Sequence, residues 1–167
     1  MSAMLPPPRL AGGPYVMGVL NITPDSLSDG GADDHVARAL AMVDSGADII
    51  DIGGESTRPG AAPVSEADEI ARVSPIISAL REASDAALSI DTMKPSVARA
   101  AIGAGVAIWN DVSALKAPGA LDVAVALRAP VILMHMQGEP RTMQQDPRYD
   151  DVVADVIGFL RARIAAA

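Results

Sequence analysis

The stretch Asp51-Ile52-Gly53-Gly54-Glu55-Ser56-Thr57-Arg58-Pro59-Gly60 gathers glycines, two hydroxyls and one guanidinium directly after an apolar run. A flexible backbone with hydroxyl donors and a permanent cation suits a diphosphate, an anionic leaving group. A second loop of this kind, Gly18 to Gly31, follows the first apolar run and contains Asn21, Thr23, Asp25, Ser26 and Asp29. Other polar residues also close apolar runs: Asp51, Asp91, Asn110 and His135. A carboxylate at 91 can accept the two parallel N–H donors of an amino-pyrimidine edge. The amide of Asn110 can both donate and accept, and Asn21 offers a neutral oxygen of the kind magnesium takes.

Each residue also has a plainer use. Asp91 could cap the helix that starts near Lys94-Pro95. Asn110 could be a turn residue before Asp111, Asn21 a turn residue before Thr23-Pro24, Asp29 a turn residue before Gly30-Gly31, and Arg58 a solvated charge. Asp51 could point inward beside Gly53, where a buried carboxylate needs partners. His135 reads as a structural histidine. The only other histidine is His35, so no multi-histidine metal site is expected.

These residues must be held by alternating strands and helices. Strands are expected at Tyr15–Leu20, Asp48–Gly53, Leu88–Asp91, Val106–Asn110 and Val131–His135. They are near-continuous apolar runs, as in parallel sheets covered by helices. Between them, Val36, Ala39, Leu40 and Val43 recur at helical spacing until Gly46. Ser65 and Asp68 open a helix with Ile70, Val73, Ile77 and Leu80 on one face, and Pro75 should bend or restart it. Pro95 suits a first helical position, and Gly103 to Gly105 end that helix. A short helix is expected over 119–127. A last one starts near Tyr149 with Val152, Val153, Val156, Ile157, Leu160 and Ile164 on one side. The βαβαβαβαβα order fits a (β/α)8 barrel or an open doubly wound sheet, and the pattern alone favours neither. Residues 1–14 read as a proline-rich extension and 15–167 as part of one domain without a linker.

With 50% hydrophobic residues the chain can form a core, and its net charge of −8 gives no general attraction for nucleic acid or an anionic membrane. No apolar run approaches the roughly 18 residues of a membrane span, and residues 1–9 lack a signal-peptide pattern. The absence of cysteine excludes disulfides and thiolate metal sites and suits a cytoplasmic setting. No G-x-S-x-G elbow or dinucleotide fingerprint follows the first strand.

Taken together, Met17–Ser26, Gly53–Gly60, Ser89-Ile90-Asp91-Thr92-Met93-Lys94-Pro95, Asn110-Asp111-Val112 and Leu133–Gly138 resemble the signatures of the dihydropteroate synthase family, in the same order. The resemblance covers Tyr15 to about Tyr149. It implies a pterin-binding TIM barrel that joins 4-aminobenzoate to a dihydropterin-methyl diphosphate, with Mg2+ as cofactor and a homodimer as the full-length form. It assigns Asp91 and Asn110 to pterin binding, Met134 to the pterin face, Asn21 to the metal, Thr57 to substrate and Arg58 to the departing diphosphate. Asp29 is assigned to assisting the metal or the incoming amine.

Leu27 stands where the family usually carries phenylalanine beside the aminobenzoate. Five strands are expected here against the eight of a full barrel, and the family's later motifs are not found, so the chain reads as a fragment with little activity alone. Its first and fifth strands would be open edges. Two alternatives share the features: a pterin- or folate-binding methyltransferase barrel, and a non-catalytic half-barrel remnant.

Overall fold

The five strands form one parallel sheet in the order β1-β2-β3-β4-β5. They are β1 Met17–Asn21, β2 Ile49–Gly53, β3 Ala87–Asp91, β4 Ile108–Asp111 and β5 Val131–Leu133. The structure is a computed structural model that describes residues 13–22, 31–56 and 63–167. The helices are α1 Gly31–Asp44, α2 Glu66–Ala83, α3 Pro95–Gly103, α4 Ala120–Leu127 and α5 Val152–Ala166.

This strand order decides between the two architectures that the pattern left open. A doubly wound sheet reverses direction at a switch point, so its helices cover both faces. Here each strand lies beside its predecessor, and right-handed crossovers then place successive helices on one side. The sheet is five consecutive units of a (β/α)8 barrel wall, with β1 and β5 at its two edges.

Alternation along the strands separates the faces. Leu20, Ile50, Ile52, Leu88, Ile90 and Trp109 meet Val73, Ile76, Ile77, Leu80, Val97, Ala98 and Ala101 in the main core. Burying each large side chain contributes about 1.5–3 kcal/mol, and Trp109, the largest, is 0% exposed. Its indole N–H donates to the Thr92 carbonyl at 2.8 Å, so this wide ring carries no unpaired polar atom. The opposite face has a small apolar floor of Ile49, Ala87 and Ile108. Above the floor it carries Asn21, Asp51, Ser89, Asp91 and Asn110.

The helices follow their local signals with some shifts. Ser65 caps α2, accepting from the Asp68 N–H at 3.1 Å. Pro75 does not restart α2, which runs unbroken from Glu66 to Ala83. The buried row Val73, Ile76, Ile77 and Leu80 outweighs the single lost backbone bond. Gly105, at φ +104°, takes the left-handed conformation that ends the turn after α3.

β1 begins at Met17 rather than Tyr15 and reaches Asn21. β4 starts at Ile108, not Val106, and β5 stops at Leu133, two residues before His135. The last helix begins at Val152 rather than near Tyr149, because Asp151 supplies the cap, accepting from Val153 and Ala154. Its apolar stripe is not covered: α5 has no buried residue, and Val152, Val153, Ile157 and Ile164 are exposed. Among the described residues, no helix is long and apolar enough to cross a membrane.

Candidate active site

Parallel register puts Asn21 beside Gly53, Gly53 beside Asp91, Asp91 beside Asn110, and Asn110 beside Ile132. In-register residues of parallel strands share a face, so this row crosses the carboxyl end of the sheet away from the helices. One level down lie Val19, Asp51 and Ser89, with Ile108 of the apolar floor beside Ser89, and below them Met17, Ile49 and Ala87. The third level is the apolar floor. A polar mouth therefore sits on a closed base.

Gly53 is the gap in the row. A Cβ there would stand 3.5 Å from Asn21 Oδ1 and 3.8 Å from both Asp91 Cβ and Asp91 Oδ2. Because glycine has none, a cradle stays open between the Asn21 and Asp91 side chains. Gly54 does the opposite job on the helix side. Its missing Cβ would lie 2.9 Å from Glu69 Cγ and 2.9 Å from Val73 Cγ1, both on α2. We expect Gly54→Ala to destabilise the fold by about 1–3 kcal/mol through overpacking, as measured by urea unfolding. An unchanged midpoint would mean that α2 can move away freely.

Asp91 is not the helix cap. The N–H of Lys94, which precedes α3, donates to Thr92 Oγ1 at 3.2 Å, and Asp91 Oδ1 is buried without a hydrogen-bond partner. Asn110 is likewise not the turn residue. Asp111 performs that task, accepting from Ser113 N, Ser113 Oγ and Leu115 N. Asn110 instead donates from Nδ2 to Asp51 Oδ2 at 3.0 Å. That bond sets the amide's orientation and leaves its oxygen available to a ligand. Asp51, 3% exposed, is thus the inward-facing support expected of it. Its Oδ1 and the Ser89 hydroxyl below the row are also buried without partners.

The site is acidic. Burial raises the Asp91 carboxyl to about 7, helped by the charges of Asp51, Glu69, Asp111 and Glu55 in that order. Desolvation of this size at a strand end is typical of functional carboxyls. Beside it, Lys94 Nζ bridges Glu55 Oε2 at 2.6 Å and Glu69 Oε2 at 2.5 Å. Burial pulls the Lys94 ammonium down, but its bonds to Glu55 and Glu69 prevail and the net shift is upward.

Glu55, Lys94 and Ser89 lie inside the sequence signatures, yet residue type alone assigned them no role. Glu69 lay on a helix and stood outside every motif. Its signal is visible in hindsight: a carboxylate one residue from Ile70, on the buried side of the α2 stripe.

The remaining candidate residues divide in two. Met134 is half-buried and lies directly after β5. His135 packs against Tyr149, with ring centroids 5.8 Å apart, and edge-on against Phe159 at 5.0 Å, which is the structural use expected of it. Asp25, Ser26, Leu27, Asp29, Thr57 and Arg58 lie outside the described residues. Of the residues expected to converge on one mouth, Asn21, Asp91 and Asn110 do so. Among the described residues there is no group of three or more His, Cys, Asp or Glu side chains placed to hold a metal.

A parallel barrel wall whose carboxyl edge carries a buried acid and an oriented amide defines a small-molecule site of the α/β barrel class. The sequence matches the pterin binding enzyme family over residues 17–167, and the chain belongs to that family. The dihydropteroate synthase of Escherichia coli K12 is 50% identical over 156 residues, covering 91% of this chain and 55% of the relative. The Yersinia pestis dihydropteroate synthase, solved in a sulfonamide drug complex, superposes with a TM-score of 0.85 at 47% identity, over 93% of this chain and 60% of that one. The Xanthomonas albilineans dihydropteroate synthase with 4-aminobenzoic acid gives 0.82 at 51% identity, over 92% and 55%. The chain thus spans a little over half the length of the relatives it matches.

Proposed function

We propose that this chain forms the pterin-holding part of a dihydropteroate synthase. The reaction condenses 4-aminobenzoate with (7,8-dihydropterin-6-yl)methyl diphosphate, giving 7,8-dihydropteroate and diphosphate. The observation that carries the reading is the register row Asn21–Gly53–Asp91–Asn110, in which Asp91 Oδ2 borders the open cradle while Asp91 Oδ1 is buried without a partner.

In this reading the Asp91 carboxylate accepts two N–H donors from the amino-pyrimidine edge of the pterin. Asn110, turned by Asp51, accepts a third. Met134 packs on the ring face. Thr57 and Arg58 receive the diphosphate and stabilise its growing charge, and Asp29 assists the incoming amine, all three on the family resemblance. The chain has no cysteine, and its part in the chemistry is to position the two substrates and stabilise the leaving anion.

The donor set is compatible with Mg2+. Asn21 presents one neutral oxygen at the open cradle, and magnesium usually keeps waters and substrate phosphate oxygens as its other ligands. Asn21 would hold the ion, which when bound neutralises diphosphate charge. A cytoplasmic setting, supported by the cysteine-free sequence, and a homodimer of the full-length protein, on the family resemblance, belong to the same reading.

Calorimetric titration of the chain with the dihydropterin-methyl diphosphate tests the reading. Saturable binding is expected, weakened about tenfold in Asn110→Ala by loss of an oriented hydrogen bond to the ligand. A chain that folds and binds no pterin would refute it.

A further inference from the structure

α5 buries no residue, yet one of its faces is anchored. Val156, Phe159, Leu160 and Arg163 are its half-buried positions, and their spacing of three and four residues puts them on one side of the helix. Two of them make specific contacts. The Phe159 ring lies beneath Lys116 Nζ, 4.6 Å from its centroid, and edge-on to His135. Arg163 reaches the turn after β4. Its Nε donates to the Ala114 carbonyl at 2.7 Å and its Nη2 to the Leu115 carbonyl at 2.9 Å.

Ala114 and Leu115, at φ +55° and +59°, are consecutive left-handed residues without a glycine. Residues with a Cβ rarely take this conformation, and scarcely ever in succession, so the surroundings must impose it. Both are buried, at 0% and 2% exposure. Asp111 holds the turn from inside, accepting from Ser113 N, Ser113 Oγ and Leu115 N, while its own carbonyl accepts from Ala114 N at 3.0 Å. Arg163 holds it from outside, with both carbonyls of the left-handed pair on one guanidinium. Asp111 directly follows Asn110, whose amide is aimed by its bond to Asp51.

We propose that Arg163 is a positioning residue for the pterin site: by holding the Ala114 and Leu115 carbonyls from α5, it fixes the turn that seats Asp111 and thereby the direction in which Asn110 presents its amide oxygen. This deepens the proposed function and rests on it. Arg163 touches no ligand. It acts through the Leu115 N–H and the Asp111 carboxylate. A guanidinium suits the task because its planar fork holds two acceptors in one geometry. Without it the left-handed pair relaxes, the Leu115 N–H leaves Asp111, and the end of β4 loses a bond that closes the turn.

Arg163→Ala and Arg163→Lys are made in the whole chain, alone and combined with Asn110→Ala. Lysine keeps the charge but has no fork to span two carbonyls. Calorimetry with 6-hydroxymethyl-7,8-dihydropterin, which carries no diphosphate, measures affinity on protein shown to be folded by circular dichroism. In Arg163→Ala we expect about fivefold weaker binding, below the roughly tenfold loss of Asn110→Ala, and a smaller loss in Arg163→Lys. In the Asn110→Ala background neither change should cost further affinity, since both act through the same amide. Unchanged affinity in both single variants would overturn the proposal. So would losses that simply add to that of Asn110→Ala, the mark of a general structural role. Where Arg163→Ala does not fold, Arg163→Lys decides by the same comparison. Wild-type chain that binds no pterin would sink the pterin reading and the proposal with it, whereas wild-type binding with additive losses removes the proposal alone.

Discussion

Asp91→Asn is expected to lose pterin affinity by about a hundredfold or more while the folded chain becomes more stable above pH 7. The binding loss follows from donor and acceptor count. A carboxylate offers acceptors to two parallel N–H groups, whereas an amide offers one and turns an NH2 towards the other. The bond lost to a charged group is worth about 1.5–3 kcal/mol, and setting an NH2 against the second N–H adds a repulsion that brings the total to about 3 kcal/mol. The stability gain follows from burial. Asp91 Oδ1 has no partner, and the neighbouring charges of Asp51, Glu69, Asp111 and Glu55 oppose its ionisation. A neutral amide of the same shape carries no such charge. Calorimetry and urea unfolding at pH 8 measure the two effects. A variant that binds pterin like wild type would remove Asp91 from the site. Gain of stability with loss of binding is the expected mark of a strained functional residue.

The pH dependence of wild type is the second large effect, and its sign is opposite to that of an ordinary salt-bridged aspartate. The carboxyl moves from 3.8 in its ordinary state to about 7 in the fold. Below the lower value both states are protonated, and Asp91 contributes nothing to the pH slope. Between the two values the unfolded chain has given up this proton and the folded chain keeps it, so stability falls as pH rises. Above about 7 both are ionised, and the full penalty is present. A shift of about three units corresponds to a penalty on the order of 4 kcal/mol.

Subtracting the Asp91→Asn profile isolates this contribution. The two proteins should agree near pH 3.5 and diverge steadily to pH 7. Parallel profiles would show that the carboxyl is not perturbed. Ligand binding should run the other way. Two N–H donors require the carboxylate, so affinity should rise with pH to about 7, and binding at pH 6 should release a proton. Titrations in two buffers of different ionisation enthalpy detect that release, and equal heats would count against a carboxylate–pterin contact.

The fold was readable where local pattern suffices. Apolar runs marked all five strands within a few residues, and Ser65, Pro95 and Gly105 marked helix ends through capping, a preset φ and a left-handed turn. Pro75 does not restart its helix, because burial of Val73, Ile76 and Ile77 around it outweighs the local penalty. The start of α5 was misplaced because Asp151, not Tyr149, supplies the acceptor for the first free N–H groups.

By itself, the sequence determined which residues close each strand and which alternate onto one face, because both are properties of a chain with period two. The strand ends offered Asn21, Asp51, Asp91, Asn110 and His135, and the family resemblance singled out Asn21, Asp91 and Asn110 among them. Only the tertiary structure decided that the strands follow in consecutive order, so that these residues form one row instead of straddling a switch point. It alone paired Asn110 with Asp51, 59 residues away, and joined Lys94 to Glu55 and Glu69 across 39 and 25 residues. Those contacts depend on register between strands and on how closely α2 approaches Gly54. Packing sets both distances, and no spacing along the chain encodes them.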